Sequence, residues 1–146
     1  MKTRKINLLA FAVAAAILSA CNQGSDPNKT REDVAKAQAD GQKKVADAQA
    51  KLDKARAEAT ADTAAAAPNG QSGAATPTRD NSKVADAEYD VDKAKAEADY
   101  DVAKAQCESQ NGDAQKTCKD QAKAKYDSAV ASAKAKNDQA HQRGSG

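Results

Sequence analysis

Three cysteines, Cys21, Cys107 and Cys118, are the residues of this 146-residue chain whose type and spacing can do chemistry. A thiol can be acylated, joined to a second thiol, activated as a nucleophile or bound to a metal. Ten residues separate Cys107 from Cys118, which matches no common ligand spacing, and His141 is the single histidine that could join them. No Ser/His/Asp arrangement, no His-Glu-x-x-His and no glycine-rich nucleotide loop accompanies them. Asp and Glu are numerous, but they alternate with Lys and Arg on charged faces, where carboxylates do no acid–base work. The expectation is a chain that is not an enzyme, with no catalytic residue, no metal site and no cofactor. Its cysteines then serve attachment and cross-linking.

Cys21 closes a patterned leader. Lys2, Arg4 and Lys5 precede an apolar run from Ile6 to Leu18, small residues follow, and the chain turns polar from Asn22 to Pro27. That order reads as a secretory signal peptide over residues 1–20. The run is about 13 residues, short of the ~20 that a membrane-spanning helix needs. An uncleaved signal anchor and a non-lipidated peptide cut near Ala20 are the alternatives.

Leu18-Ser19-Ala20-Cys21 resembles the lipobox of bacterial lipoproteins. The resemblance implies that a dedicated peptidase cuts before Cys21, whose thiol and new amino group then carry acyl chains such as palmitate. Two or more chains hold a protein stably on a leaflet. The resemblance thus implies an otherwise soluble protein anchored to the membrane through acylated Cys21. Asn22 stands where an Asp in enterobacterial lipoproteins resembles an inner-membrane retention signal. That departure implies the inner leaflet of the outer membrane, facing the periplasm.

With the leader set aside, the charge balance changes sign. The 23 Lys and Arg fall to 20 without Lys2, Arg4 and Lys5, against 21 Asp and Glu, a formal net charge of −1 for residues 22–146. Without an uncompensated basic patch, a nucleic-acid partner is not expected. Large apolar residues are few: Val34, Val45, Leu52, Val84, Val91, Val102 and Val130, with Tyr89, Tyr100 and Tyr126. Burying them cannot alone offset the ordering of a long chain, so a thick globular core is excluded. Alanine, Lys, Gln and Glu are strong helix formers. The fold class expected is all-α: long, thin alanine-rich helices.

Residues 21–30 hold Gly24 and Pro27 and read as the lipidated N-terminus and its tether. An amphipathic helix follows over 31–63, opened by Thr30 as cap with Glu32 and Asp33 at its positive end. Val34, Ala37, Gly41, Val45, Ala48, Leu52, Ala55 and Ala59 recur every three or four residues as one narrow seam. Glu32–Lys36, Asp40–Lys44 and Asp47–Lys51 read as stabilising pairs in the better orientation, and Gly41 as a local weak point. The seam either packs on another helix or, on a lone solvated helix, on nothing. Residues 64–82, with Pro68, Gly70, Gly73 and Pro77, read as a flexible linker.

A helical hairpin is expected over 83–140, with 141–146 a flexible tail and His141 a solvated residue in it. The first arm runs from a cap at Ser82 to Gln110, with Val84, Ala87, Val91, Ala94, Ala98, Val102 and Ala105 on one stripe. Gly112 suits the left-handed residue after a helix, and Asp113 can cap the second arm. On one continuous helix the eleven-residue step from Cys107 to Cys118 would span about 16 Å, too far for a disulfide. Reversal at Gly112 brings both cysteines together and sets Tyr100 beside Tyr126. With Cys21 acylated, two cysteines remain in an oxidising compartment, so a Cys107–Cys118 disulfide is expected.

The stretch from Tyr100 to Tyr126, with Tyr-x-Val-Ala-x-x-x-Cys, then Gly, then Cys and Ala-Lys-Ala-Lys, resembles small Ala/Lys-rich proteobacterial envelope proteins. The chain is also similar to alanine-zipper lipoproteins of the murein-lipoprotein kind. It departs from them at Gln142-Arg143-Gly144-Ser145-Gly146, which lacks the terminal Lys used for covalent attachment to peptidoglycan. These likenesses imply a structural or interaction role in the envelope, with another copy, an envelope protein or peptidoglycan as partner. The Ala-Lys-Ala repeats separately resemble late-embryogenesis-abundant proteins, which implies stress or desiccation protection as the alternative.

Overall fold

The structure is a computed structural model that describes residues 26–65 and 78–144. The expected signal peptide, Cys21, residues 22–25, most of the linker (66–77) and residues 145–146 lie outside them. The described chain is all-α: α1 spans Pro27–Ala65, α2 Thr78–Cys107 and α3 Gly112–Gly144, with no strand among the described residues.

Several boundaries differ from the sequence reading. α1 begins before residue 31, because Asp26 is the cap: its Oδ1 accepts the Asn28 N–H at 2.9 Å and its carbonyl accepts the Thr30 N–H at 3.0 Å. Pro27 then occupies the first helical position, where its missing N–H costs nothing. Thr30 is therefore inside the helix, with its hydroxyl oxygen buried and unpartnered. Residues 64–65 and 78–82 are helical rather than linker, so α2 starts at Thr78 and Ser82 lies within it. α3 continues to Gly144, so residues 141–144 are helix and not tail.

α2 ends three residues before Gln110. There the N–H groups of Glu108, Ser109 and Gln110 each bond the carbonyl three residues back, at 3.1–3.2 Å, tightening the last turn. Gly112, at φ 56°, supplies the left-handed step that reverses the chain. Asn111 takes the cap position, its carbonyl accepting the Gln115 N–H at 3.4 Å, and Asp113 sits in the first turn instead of capping it.

α2 is the middle of the molecule. α1 packs against it on one side and α3 on the other, and α1 and α3 do not meet. Both contacts are antiparallel. Lys44 pairs with Asp101 and Arg56 with Glu88, so the partner moves back along α2 as α1 advances. Lys136 with Asp92 and Lys119 with Glu108 trace the same reversal for α3.

The seam read on α1 is the packed one. Gly41, Ala48 and Leu52 are buried and Val34, Ala37, Val45, Ala55 and Ala59 are half-buried, so the helix is not solvated all round. With Ala87 and Val91 of α2, Ala48 and Leu52 form the core, extended by Ala55, Val84 and Ala94. Gly41 is no weak point: a Cβ built on it would lie 2.6 Å from the Cβ of Ala98, so glycine is what lets α1 approach α2.

α2 also carries a second stripe, which the sequence reading did not identify. Ala85, Tyr89, Ala96, Tyr100, Ala103 and Cys107 face α3, with Ala85, Ala96 and Cys107 buried. At about 100° per residue this stripe lies roughly 160° from the one that meets α1. Two nearly opposite faces explain why three helices form a layer and not a triangular bundle.

Candidate functional site

The turn between α2 and α3 is held by a covalent bond and by side-chain contacts on both arms. Cys107 and Cys118 are joined as a disulfide with Cα atoms 5.6 Å apart, and Cys107 is 1% exposed. Around it, Glu108 binds α3 twice: Lys119 Nζ lies 2.9 Å from one of its carboxylate oxygens, and Gln115 donates to the other at 2.9 Å. Further from the turn the rings of Tyr100 and Tyr126 meet with centroids 5.4 Å apart at a 36° tilt. Covalent, ionic and aromatic contacts thus succeed one another along the same face. Together they make the α2–α3 turn a clip.

At the other end of the hairpin, His141 is not a loose tail residue. Its Nε2 lies 2.8 Å from Asp86 Oδ1, and Asn137 Nδ2 donates to the same oxygen at 2.9 Å. The Asn137 hydrogen bond, then that from His141, hold the Asp86 carboxyl below its ordinary range, against a smaller opposing effect of burial. The sequence reading missed this cluster, because nothing local links residues 86 and 141.

On α1, Lys44 reaches across to Asp101 at 3.2 Å, and that hydrogen bond raises its pKa. The expected Asp40–Lys44 pair gives way to this longer-range partner. Among the described residues Glu32–Lys36 and Asp47–Lys51 are not made either. The i,i+4 pairs that form place Lys first: Lys29–Asp33, Lys54–Glu58, Lys93–Glu97, Lys123–Asp127 and Lys134–Asp138. Their side chains are exposed or half-exposed, so solvent screens the pairs and they add little to stability.

Over α2, between α1 and α3, an open groove of about 320 Å³ is lined by Leu52, Ala85 and Ala133. The Arg56–Glu88 pair (2.8 Å) stands on its α1 side and Lys136–Asp92 (3.0 Å) on its α3 side. These charges satisfy one another across the two rims of the groove. Among the described residues no group of three or more His, Cys, Asp or Glu could hold a metal ion. No described helix is long and apolar enough to cross a membrane.

The structure therefore brings Cys107 and Cys118 together, while Cys21 lies outside the described residues. Compared with protein-family models, curated proteins and solved structures, the chain matches none.

Proposed function

We propose that this chain is a non-enzymatic, lipid-anchored protein of the bacterial cell envelope whose helical layer has a structural or binding role. The observation that carries the reading is Leu18-Ser19-Ala20-Cys21 at the end of a basic-then-apolar leader. Acyl chains on Cys21 would supply attachment, since burial in lipid contributes about 0.8 kcal/mol per CH₂. Five residues, 22–26, separate that cysteine from the start of α1, so the helical layer would stand within a short reach of the leaflet. The clip at Cys107–Cys118 and the packed seams support a scaffold over a chain that gains helix only on drying. Its partner is a second copy, another envelope protein or peptidoglycan.

Labelling of growing cells with an alkyne analogue of palmitate tests the anchor, read by intact mass of the purified protein. The expected result is a mature species that begins at Cys21, carries acyl mass, and loses the label in Cys21→Ser. A free N-terminus at residue 22 or beyond would refute the anchor.

A further inference from the structure

We propose that Cys118 is the thiol through which the clip is made: an external dithiol–disulfide carrier joins Cys118 first, and Cys107 then displaces the carrier to close the bond. The order rests on the hairpin alone and holds whatever becomes of Cys21.

The two cysteines are not equivalent. Cys107 is 1% exposed and is the last residue of the α2 stripe that faces α3, whereas Cys118 is half-buried. A thiolate at Cys107 would lie at the carbonyl end of α2, with the Glu108 carboxylate on the next residue, an unfavourable place for negative charge. Exchange needs a thiolate that an incoming disulfide can reach, and of the two Cys118 offers it.

Helical spacing shows which side of α3 stays open. Cys118, Ala122, Lys125 and Ala129 recur at steps of four, three and four, so they share one side of the helix. The last three are the α3 wall of an open groove of about 240 Å³, with Tyr100 and Ala103 of α2 opposite. Cys118 extends that wall by one turn toward the end of the hairpin. Lys119 lies about 100° around α3 from Cys118, so its ion pair with Glu108 does not close the same side. α1 packs on the other side of α2 and does not meet α3, so no third helix covers the approach. The Glu108–Lys119 pair, the Gln115 hydrogen bond and the Tyr100–Tyr126 contact all join the two arms without the disulfide, so the hairpin can impose the order before the bond exists.

The chemistry balances with the carrier as oxidant. The Cys118 thiolate attacks one sulfur of the carrier's disulfide and displaces the other as a thiolate. Cys107 then loses its proton, attacks Cys118 Sγ and displaces the carrier's remaining sulfur. The chain's two thiols give up two electrons and two protons; the carrier takes up both and leaves as a dithiol.

The test uses the full chain, purified and reduced, with oxidised glutathione as the probe disulfide. Samples are quenched with acid at early times, and each cysteine peptide is read by mass, so any adduct on Cys21 is scored separately. Cys118 should carry glutathione in about tenfold excess over Cys107, as expected when one thiol of a pair is accessible and the other is not. Cys107→Ala should accumulate the Cys118 adduct, and Cys118→Ala should stay unmodified at Cys107. In concentrated urea both thiols should load alike. Loading of Cys107 as fast as Cys118 without urea would overturn the order. A preference for Cys118 that survives in urea would also overturn it, since sequence neighbours and not the fold would then set it. Far-UV circular dichroism of the reduced chain reads the helix directly; a chain that loses its helix and loads both thiols alike counts against the proposal in the same way, because the order requires the hairpin first.

Discussion

A Cβ added to Gly41 would sit 2.6 Å from the Cβ of Ala98 and 3.2 Å from its Cα, so α1 and α2 touch there at a point that a single methyl would occupy. Gly41→Ala is favoured by helix propensity by about 1 kcal/mol. The clash is with a Cβ and backbone that have no rotamer to yield, so the helices must part. A net loss of about 1–2 kcal/mol is expected by urea denaturation. Gly41→Ala with Ala98→Gly should recover part of that loss; a stabilised single variant would refute the close approach.

Leu52 is the largest aliphatic side chain in the core, 4% exposed beside Ala48, Ala87 and Val91. Leu52→Ala should cost about 2–3 kcal/mol, near the low end for buried leucines, because small neighbours leave an edge that can partly close. Val130→Ala on half-buried α3 should cost less than half as much in the same assay.

Reducing Cys107–Cys118, or replacing both by Ser, frees an eleven-residue step. Chain entropy predicts a loss of about 3 kcal/mol, roughly 10 °C or more in melting temperature. Burying a Ser hydroxyl in place of Cys107 adds to the loss, so Cys107→Ala with Cys118→Ala separates the two effects. Equal thermal midpoints for oxidised and reduced protein would show that the clip contributes nothing to stability.

The Asp86 carboxyl is held below its ordinary value of 3.8 by Asn137 first and His141 second. A depressed folded-state pKa contributes stability that is complete above the unfolded value and disappears as pH falls through the lower, folded one. Wild type should therefore exceed Asp86→Ala in thermal stability near pH ~5, and the gap should close toward pH ~2. The pair is mostly exposed, so the gap is small. A difference that persists unchanged to low pH would mean that Asp86 acts by packing and not by charge.

Local rules made much of this fold readable. The three-to-four spacing from Val34 to Ala59 marked the face of α1 that is packed, because a helix can bury only residues that recur near its period. Gly112 marked the reversal, and reversal at that point brought Cys107 to Cys118 and Tyr100 to Tyr126. The start of α1 was not legible, because Asp26-Pro27 looks like a turn in the tether and yet caps and opens the helix four residues before Thr30.

Which stripe meets which was decided only in three dimensions. Alanine recurs on nearly every face of these helices, so hydrophobicity could not separate the α2 stripe that holds α1 from the one through Ala85 and Ala96 that holds α3. The same ambiguity hid the meaning of Gly41, which is a helix breaker by propensity and an approach point once Ala98 lies opposite. Asp86 and His141 are 55 positions apart, and no periodicity connects them. Period and turn chemistry act over a few residues and are written along the chain. Helix docking is a choice among similar faces, and only the contacts between distant segments make it.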